Sequence, residues 1–250
     1  MSIKASYPRV NVLGITFDNV SFSQSLSLCV LAAVSGKPYK AVTPNLEISL
    51  RASKDRSLSD DIKRADLVLC DGVGVLFLSK INAVFNIIKR RSFAGRLCER
   101  IPGCELALSL LELASNFPSC PLSFFLLGGA PGVAAKAAKK IKRKYPDASI
   151  AGYIDGYGGL KSASEAIARS GANVIFCCLG SPLQESFASK LSENLPRPGV
   201  ILCLGGTIDL LAGNAERAPR IMRKFGLEWM YRFATEPKRM VRFLNAAVGK

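Results

Sequence analysis

The sequence contains no histidine, and this absence constrains its chemistry more than any other feature of its composition. Histidine is the most common general base at neutral pH and the most common metal ligand, so acid–base chemistry here falls mainly to aspartate and glutamate. The eight cysteines include no C-x-x-C pair, and Cys98 and Cys104 have no partner cluster, which argues against a zinc site. Four others lie in apolar, strand-like runs, where buried thiols are common: Cys70, Cys177, Cys178 and Cys203.

Long apolar runs are missing as well. No run approaches the roughly 20 residues needed to cross a bilayer, and Met1 to Arg9 lacks the apolar stretch of a secretory signal. Hydrophobic residues make up 49% of the 250 residues and charged residues 21%, which excludes a disordered chain. We therefore expect a folded cytoplasmic protein that is soluble or attached to the surface of a membrane.

Short apolar segments alternate with helical stretches along the chain. The run Val174–Leu179 is apolar without alternation, as in parallel strands that are covered on both faces. The pattern predicts an α/β protein with a Rossmann-like three-layer sandwich and a mostly parallel sheet, followed by a C-terminal helical membrane-associating appendage. We expect the catalytic core at 1–204 and the appendage at 205–250. The predicted strands are Val10–Phe17, Tyr39–Thr43, Asp66–Cys70, Ser123–Gly128, Ile150–Tyr153, Asn173–Leu179 and Val200–Leu204.

Polar or glycine-rich turns follow five of the predicted strands. In open α/β sheets, ligands bind at the carboxyl ends of the strands, where these turns lie. We therefore expect the turns to converge on one rim of the sheet. They are Thr43–Asn45, Asp71–Gly74, Gly128–Gly132, Gly180–Glu185 and Gly205–Thr207.

Each polar residue of this rim has a functional and a structural interpretation. Asp71, directly after a strand and followed by Gly72, is placed as a general base and equally well as a helix N-cap. Thr43 and Asn45 are candidates to bind a sugar hydroxyl, although helix capping is the default interpretation. Gln184 is a candidate to read a sugar or a pyrimidine, although its position in a first helical turn favours a solvent-facing side chain.

The turn Gly128–Gly132 is a candidate phosphate cradle, because glycines let backbone N–H groups approach an anion that a helix N-terminus favours. The turn does not match the P-loop pattern. Asp155 lies at about the right distance onward for a ribose-binding acid, without being a clear candidate. Nucleotide contact and a merely tight turn are equally supported.

Lys and Arg outnumber Asp and Glu by 34 to 19, and two basic segments bear on function. Lys89–Arg100 separates two helical stretches, which predicts a mobile loop over the rim. The tail from Arg217 to Lys250 interleaves nine Lys/Arg and two Glu with apolar residues. Such a mixture is typical of contact with anionic lipid, here through Phe225, Trp229 and Phe243. Solvated charges, a phosphate clamp, a nucleic-acid patch and burial of the aromatic residues are the other interpretations.

Taken in order, these motifs resemble the WecG/TagA/CpsF family of bacterial glycosyltransferases, glycosyltransferase family 26. The resemblance covers nearly the whole chain, and six pieces in order make it specific. They are Thr43-Pro44-Asn45, Asp71-Gly72-Val73-Gly74, Arg100-Ile101-Pro102-Gly103 with Glu105, Gly128-Gly129, Gly180-Ser181-Pro182-Leu183-Gln184-Glu185 and the run from Gly205 to Arg242.

The resemblance implies an inverting enzyme that moves a hexose-type sugar from a UDP-sugar to a polyprenyl-diphosphate-linked saccharide. Such transfer serves bacterial cell-surface polysaccharide or teichoic acid synthesis, at the inner face of the cytoplasmic membrane. The sugar would be N-acetylmannosamine, N-acetylmannosaminuronic acid or glucose.

The resemblance also implies roles for individual residues. Asp71 matches the proposed general base, and Arg100 matches an arginine of the catalytic site. The C-terminal arginines match those of an appendage thought to close over the site and contact the diphosphates. The implied substrate-binding residues are Thr43, Asn45, Gly128, Gly129, Gln184, Arg232, Arg239 and Arg242.

No D-x-D triplet occurs in the chain, and arginines aimed at the departing diphosphate would replace the divalent metal that many glycosyltransferases use. We therefore expect metal independence and no cofactor. The alternative function is a basic nucleic-acid-binding α/β protein without catalytic activity, although no recognised nucleic-acid motif is present. The apolar residues of the tail also allow a contact between subunits of a homo-oligomer.

Overall fold

A computed structural model describes residues 7–88, 95–156, 159–195 and 199–248. Within them the strands are β1 Arg9–Val12, β2 Ile15–Asp18, β3 Tyr39–Val42, β4 Leu67–Val68, β5 Ser123–Gly128, β6 Ser149–Ile154, β7 Val174–Cys178 and β8 Val200–Cys203. The helices are α1 Phe22–Ser35, α2 Leu46–Ala52, α3 Arg56–Lys63, α4 Val73–Ile88, α5 Gly103–Asn116, α6 Val133–Lys144, α7 Leu160–Ser170, α8 Leu183–Asn194, α9 Thr207–Ala212, α10 Arg220–Lys224, α11 Glu228–Thr235 and α12 Pro237–Val248.

Six strands form one parallel sheet in the order β4-β3-β8-β7-β5-β6. Successive residues of β7 point to opposite faces, so Val174 and Phe176 join one apolar core while Ile175 and Cys177 join the other. Helices α1, α5 and α6 cover the first face, and α3, α7 and α8 cover the second. The predicted α/β sandwich with a parallel sheet is therefore confirmed.

The predicted strand Val10–Phe17 is wrong in one respect, because the structure divides it into two. Leu13 and Gly14 have φ angles of 54° and 81°, which reverse the chain and pair β1 with β2 in a separate antiparallel hairpin. The other six predicted strands are present, with Asp66–Cys70 shortened to the two residues of β4.

Lys40 is a charged residue inside β3, and only 1% of it is exposed. Its Nζ donates hydrogen bonds to the backbone oxygen of Asp61 at 2.7 Å and to Oγ of Ser189 at 2.6 Å. Ser189 Oγ also donates to the Asp61 carboxylate at 2.7 Å. Burial lowers the pKa of the Lys40 ammonium. This network ties β3 to α3 and α8, and so supports the strand end that carries Thr43 and Asn45.

The C-terminal helices pack on the sandwich in two places. Helix α9 lies against α5 and α6, and α12 lies against α2. Lys54, which follows α2, donates from Nζ to the backbone oxygens of Ala246 and Ala247 at 2.7 and 2.9 Å, near the end of α12. In the described part of the chain, no helix combines the length and apolar character needed to span a bilayer. The division of the chain at residue 204 stays a prediction.

Two glycines, at the end of β5 and in the turn after it, differ in how tightly their surroundings are packed. Gly128 has a φ of 132°, and a Cβ there would collide with the backbone oxygen of Cys178, whereas Gly132 has a φ of 81° with open space around it. We expect Gly132→Ala to lower the free energy of unfolding by about 1–2 kcal/mol, the cost of a left-handed backbone. Gly128→Ala should cost more, because a neighbouring strand must also shift. Urea denaturation measures both variants, and equal losses would contradict the tight packing.

Candidate active site

A cavity of about 660 Å³ opens at the carboxyl ends of β3, β4 and β8. Its walls combine the turns after these strands with the beginnings of α2, α4 and α5 and with side chains of α11 and α12. The charged residues that line it are Glu47, Asp71, Arg100, Glu228 and Arg232. Four aromatic residues form an apolar wall: Phe77, Trp229, Phe233 and Phe243.

Asp71 and Arg100, the two predicted catalytic residues, both line this cavity. The N–H of Ile101 donates to the backbone oxygen of Cys70 at 2.8 Å, which holds the Arg100 segment against the chain that leads from β4 to Asp71. Burial, reinforced by the Asp71 carboxylate, raises the pKa of the Cys70 thiol to about 12. The thiol therefore stays protonated at neutral pH.

Helix α4 begins in the turn that carries Asp71. The helix begins at Val73, and the N–H of Leu76 donates to the backbone oxygen of Gly72. The N-cap position therefore falls on Gly72, and Asp71 lies one residue before it. The role of Asp71 as a general base stays a prediction that its place in the cavity permits.

Thr43 and Asn45 follow β3 and have different surroundings. Asn45 lines the cavity and also caps α2, because its Oδ1 accepts the N–H of Ile48 at 3.0 Å. Thr43 is buried and donates from Oγ1 to the backbone oxygen of Cys203 at 2.9 Å, which ties the ends of β3 and β8 together. Thr43 is not among the cavity-lining residues, so its predicted contact with substrate has no support from its position.

Gln184 is 2% exposed, so the expectation of a solvent-facing side chain is wrong. Its Oε1 accepts the N–H of Gly205 at 2.9 Å, and its Nε2 donates to Oε1 of Glu185 at 2.8 Å. Burial raises the pKa of the Glu185 carboxyl. Through Gly205, Gln184 braces the turn that carries Gly206 and Thr207 to the cavity wall. It does not itself line the cavity in the described part of the chain.

The glycine turn after β5 also lies outside the cavity lining. The Asp155 carboxylate accepts the N–H groups of Gly132 and Ala134 at 2.8 and 3.0 Å, so it occupies the N-terminus of α6, the position that a phosphate would take in the nucleotide-binding interpretation. Close packing explains Gly128 and Gly129, and a left-handed backbone explains Gly132. Substrate contact through Gly128 and Gly129 stays a prediction that their position does not support.

Glu228 is a site residue that the sequence predictions missed. Its Oε2 lies 3.4 Å from Nη1 of Arg100, and its Oε1 lies 3.2 Å from Nη2 of Arg232. The three side chains are largely buried, with exposed fractions of 12%, 20% and 25%. The spacing of Glu228 and Arg232, four residues apart on one helix, was the available signal.

The remaining predicted arginines lie farther along the tail. Arg242 approaches the carboxylate of Glu47 at 3.6 Å with half of its side chain exposed, and it is not a cavity-lining residue. Arg239 belongs to α12, and its side chain is outside the part that the structure describes. The first residues of the predicted loop, 89–94, also lie outside it.

The tail aromatic residues divide into two groups. Trp229 and Phe233 meet at a ring-centroid distance of 5.7 Å, Phe233 and Phe243 meet at 5.6 Å, and all three line the cavity. Phe225 is 70% exposed and is not among the cavity-lining residues. Two of the three expected lipid contacts, Trp229 and Phe243, therefore also belong to the site.

A cysteine thiol, that of Cys104, also lines the cavity. Burial, with a contribution from Asp71, raises the pKa of the Cys104 thiol to about 11, so this lining residue stays protonated at neutral pH. Among the described residues, no group of three or more Cys, Asp or Glu side chains is arranged to hold a metal ion. Metal independence stays a prediction.

Comparison with known proteins identifies the group to which this site belongs. Residues 10–248 match the model of the Glycosyl transferase WecG/TagA/CpsF family. The chain is 36% identical over 205 residues to an N-acetylglucosaminyldiphosphoundecaprenol N-acetyl-beta-D-mannosaminyltransferase of Bacillus spizizenii, covering 82% of this chain and 74% of the relative. It is 34% identical over 204 residues to a protein of the same name from Bacillus subtilis, covering 81% and 74%. The chain therefore belongs to the WecG/TagA/CpsF family of glycosyltransferases.

Proposed function

We propose that this protein transfers N-acetylmannosamine from its UDP derivative to N-acetylglucosamine linked through a diphosphate to a polyprenyl chain. The names of the two Bacillus relatives supply the sugar and the acceptor. The observation that carries the proposal is one cavity in which Asp71, Arg100 and Arg232 share the space with an aromatic wall. The carboxylate can accept a proton from a hydroxyl, and the guanidinium groups can bind a diphosphate. The apolar wall suits a lipid chain.

Asp71 is the proposed general base of a single displacement. Its carboxylate accepts the proton of the acceptor hydroxyl while that oxygen attacks the anomeric carbon and the bond to UDP breaks, which inverts the anomeric configuration. Such proton transfer is typically worth about 10²–10⁴-fold in rate. Arg100 and Arg232 stabilise the charge that develops on the departing diphosphate, and one such donor is worth roughly 3 kcal/mol.

The tail gives the enzyme its proposed attachment to the inner face of the cytoplasmic membrane. Ile221 and Phe225 are 72% and 70% exposed, next to the exposed Arg220. Apolar side chains beside a cation favour an anionic lipid surface. Attachment there would bring the cavity to an acceptor whose polyprenyl chain lies in the bilayer.

The donor assignment is tested by a panel of UDP-sugars with a short-chain polyprenyl-diphosphate N-acetylglucosamine acceptor. We expect turnover with UDP-N-acetylmannosamine to exceed turnover with the UDP derivatives of glucose and N-acetylmannosaminuronic acid. Mass spectrometry of the lipid product measures each transfer. A higher rate with either of the other donors would overturn the sugar assignment while retaining the acceptor.

Asp71→Asn tests the general base. We expect kcat to fall by about 10²–10⁴-fold, because the amide cannot accept the proton, while the Kd for UDP stays within about twofold. The control is Asp60→Asn, which removes a half-exposed carboxylate of α3 that pairs with the surface residues Arg56 and Lys63. Normal kcat in Asp71→Asn would end the assignment.

Phe225→Ser tests the membrane surface. We expect binding to vesicles with anionic phospholipid to weaken roughly three- to tenfold, because burying a Phe side chain is worth about 1.5–3 kcal/mol and the interface takes only part of it. Vesicle sedimentation measures the effect. Phe117→Ser is the matched control, since Phe117 is 62% exposed at the end of α5. Equal binding by Phe225→Ser and the wild-type protein would contradict the assignment.

A further inference from the structure

Among the residues that the structure describes, more acidic than basic side chains line the cavity assigned to a diphosphate. Its charged lining comprises Glu47, Asp71 and Glu228 against Arg100 and Arg232, although the whole chain carries a formal charge of +15. A site arranged only to bind anions tightly would have the opposite balance. Of the three acidic residues, Glu228 contacts both arginines.

The Glu228 carboxylate contacts the two arginines through the atoms that would bind a substrate. It meets Nη1 of Arg100 at 3.4 Å and Nη2 of Arg232 at 3.2 Å. Terminal guanidinium nitrogens are the donors that clamp phosphate oxygens. The carboxylate therefore stands at the position that an anionic ligand would take between the two guanidinium groups.

Both contacts are long for paired charges. Charge-assisted N–H···O bonds are usually about 2.7–2.9 Å. A second carboxylate between two tail arginines, Glu105, shows the difference: it lies 2.6 Å from Nη2 of Arg217 and 3.8 Å from Nη1 of Arg223, outside the cavity lining. Glu105 is thus firmly bound to one arginine, whereas Glu228 is shared loosely by two and is the easier carboxylate to displace.

We propose that Glu228 is an internal competitor for the diphosphate. It neutralises Arg100 and Arg232 in the empty cavity, yields them to the phosphates of the bound substrate, and takes them back as the nucleoside diphosphate leaves. The inference rests on the proposed function, which places a diphosphate in this cavity. Its consequence is weaker binding of the UDP product, and hence faster release and less product inhibition.

Glu228→Gln separates this role from a merely structural one. The amide keeps the size of the side chain and removes its charge, so we expect UDP and inorganic pyrophosphate to bind about tenfold more tightly, a factor equivalent to about 1.4 kcal/mol. Glu105→Gln, which removes the same charge from the pair outside the cavity, should bind both probes within about twofold of the wild-type protein. Isothermal titration calorimetry on the full chain gives the dissociation constants, and UDP inhibition of turnover gives an independent comparison.

Each outcome decides a separate question. Unchanged or weaker binding of both probes by Glu228→Gln would overturn the proposal and make Glu228 a residue that positions the arginines. Equal tightening in Glu105→Gln would assign the effect to overall charge and would also overturn it. Tighter pyrophosphate binding by Glu228→Gln with no UDP binding by any variant would support the competitor and refute the nucleotide donor.

A second substitution covers the case in which Glu228→Gln fails to fold, which a thermal unfolding curve shows. Glu228→Asp retains the charge but withdraws the carboxylate by one methylene from contacts that already measure 3.4 and 3.2 Å. We expect it also to bind pyrophosphate more tightly than the wild-type protein, and unchanged binding would refute the competitor.

Discussion

Helices cover both faces of the parallel sheet, so a substrate can reach polar groups only at the ends of the strands. The rest of this structure depends on that constraint. Alternate residues of β7 are buried in opposite cores, so neither face offers room for a substrate. Lys40, the charged residue inside β3 of this sheet, donates hydrogen bonds to Asp61 and Ser189. Asp71 and Asn45, one strand-end residue each, are consequently the polar groups that β4 and β3 present to the cavity.

Among the turns at the carboxyl ends of the strands, strand order decides which ones form the site. Strands β4, β3 and β8 are neighbours in the sheet, and their carboxyl ends surround the cavity. The turns after β5 and β7 lie farther along the same edge and have structural tasks, in which Asp155 caps α6 and Gln184 supports Gly205. The five turns thus lie on one rim, where three of them line the cavity and two have structural roles. That β8 lies beside β3 is a long-range pairing that no local pattern in the sequence reveals.

The whole chain is strongly basic, but the arginines near the cavity are paired with glutamates. A formal charge of +15 suggested an anionic macromolecule as partner, but family membership identifies a transferase, so the alternative of a nucleic-acid-binding protein without catalytic activity is wrong. Around the cavity, tail arginines are matched by glutamates, with Arg232 on Glu228, Arg217 on Glu105 and Arg242 on Glu47. The Arg217–Glu105 and Arg242–Glu47 pairs dock the basic tail on the core, whereas Glu228 influences how strongly the cavity attracts an anion.

The sequence by itself determined the α/β class, the buried strands, the cap on α2 and the family, because periodicity, capping and ordered motifs depend on interactions between residues close in the chain. It also placed Asp71 at a strand end. Only the tertiary structure decided which carboxylate Arg100 meets, since Glu228 lies 128 residues away in the sequence. The same holds for Trp229 and Phe243, which line a cavity as well as being candidates for contact with lipid. Partners of this kind are chosen by how the helices pack, and packing brings together side chains whose separation along the chain carries no periodic signal.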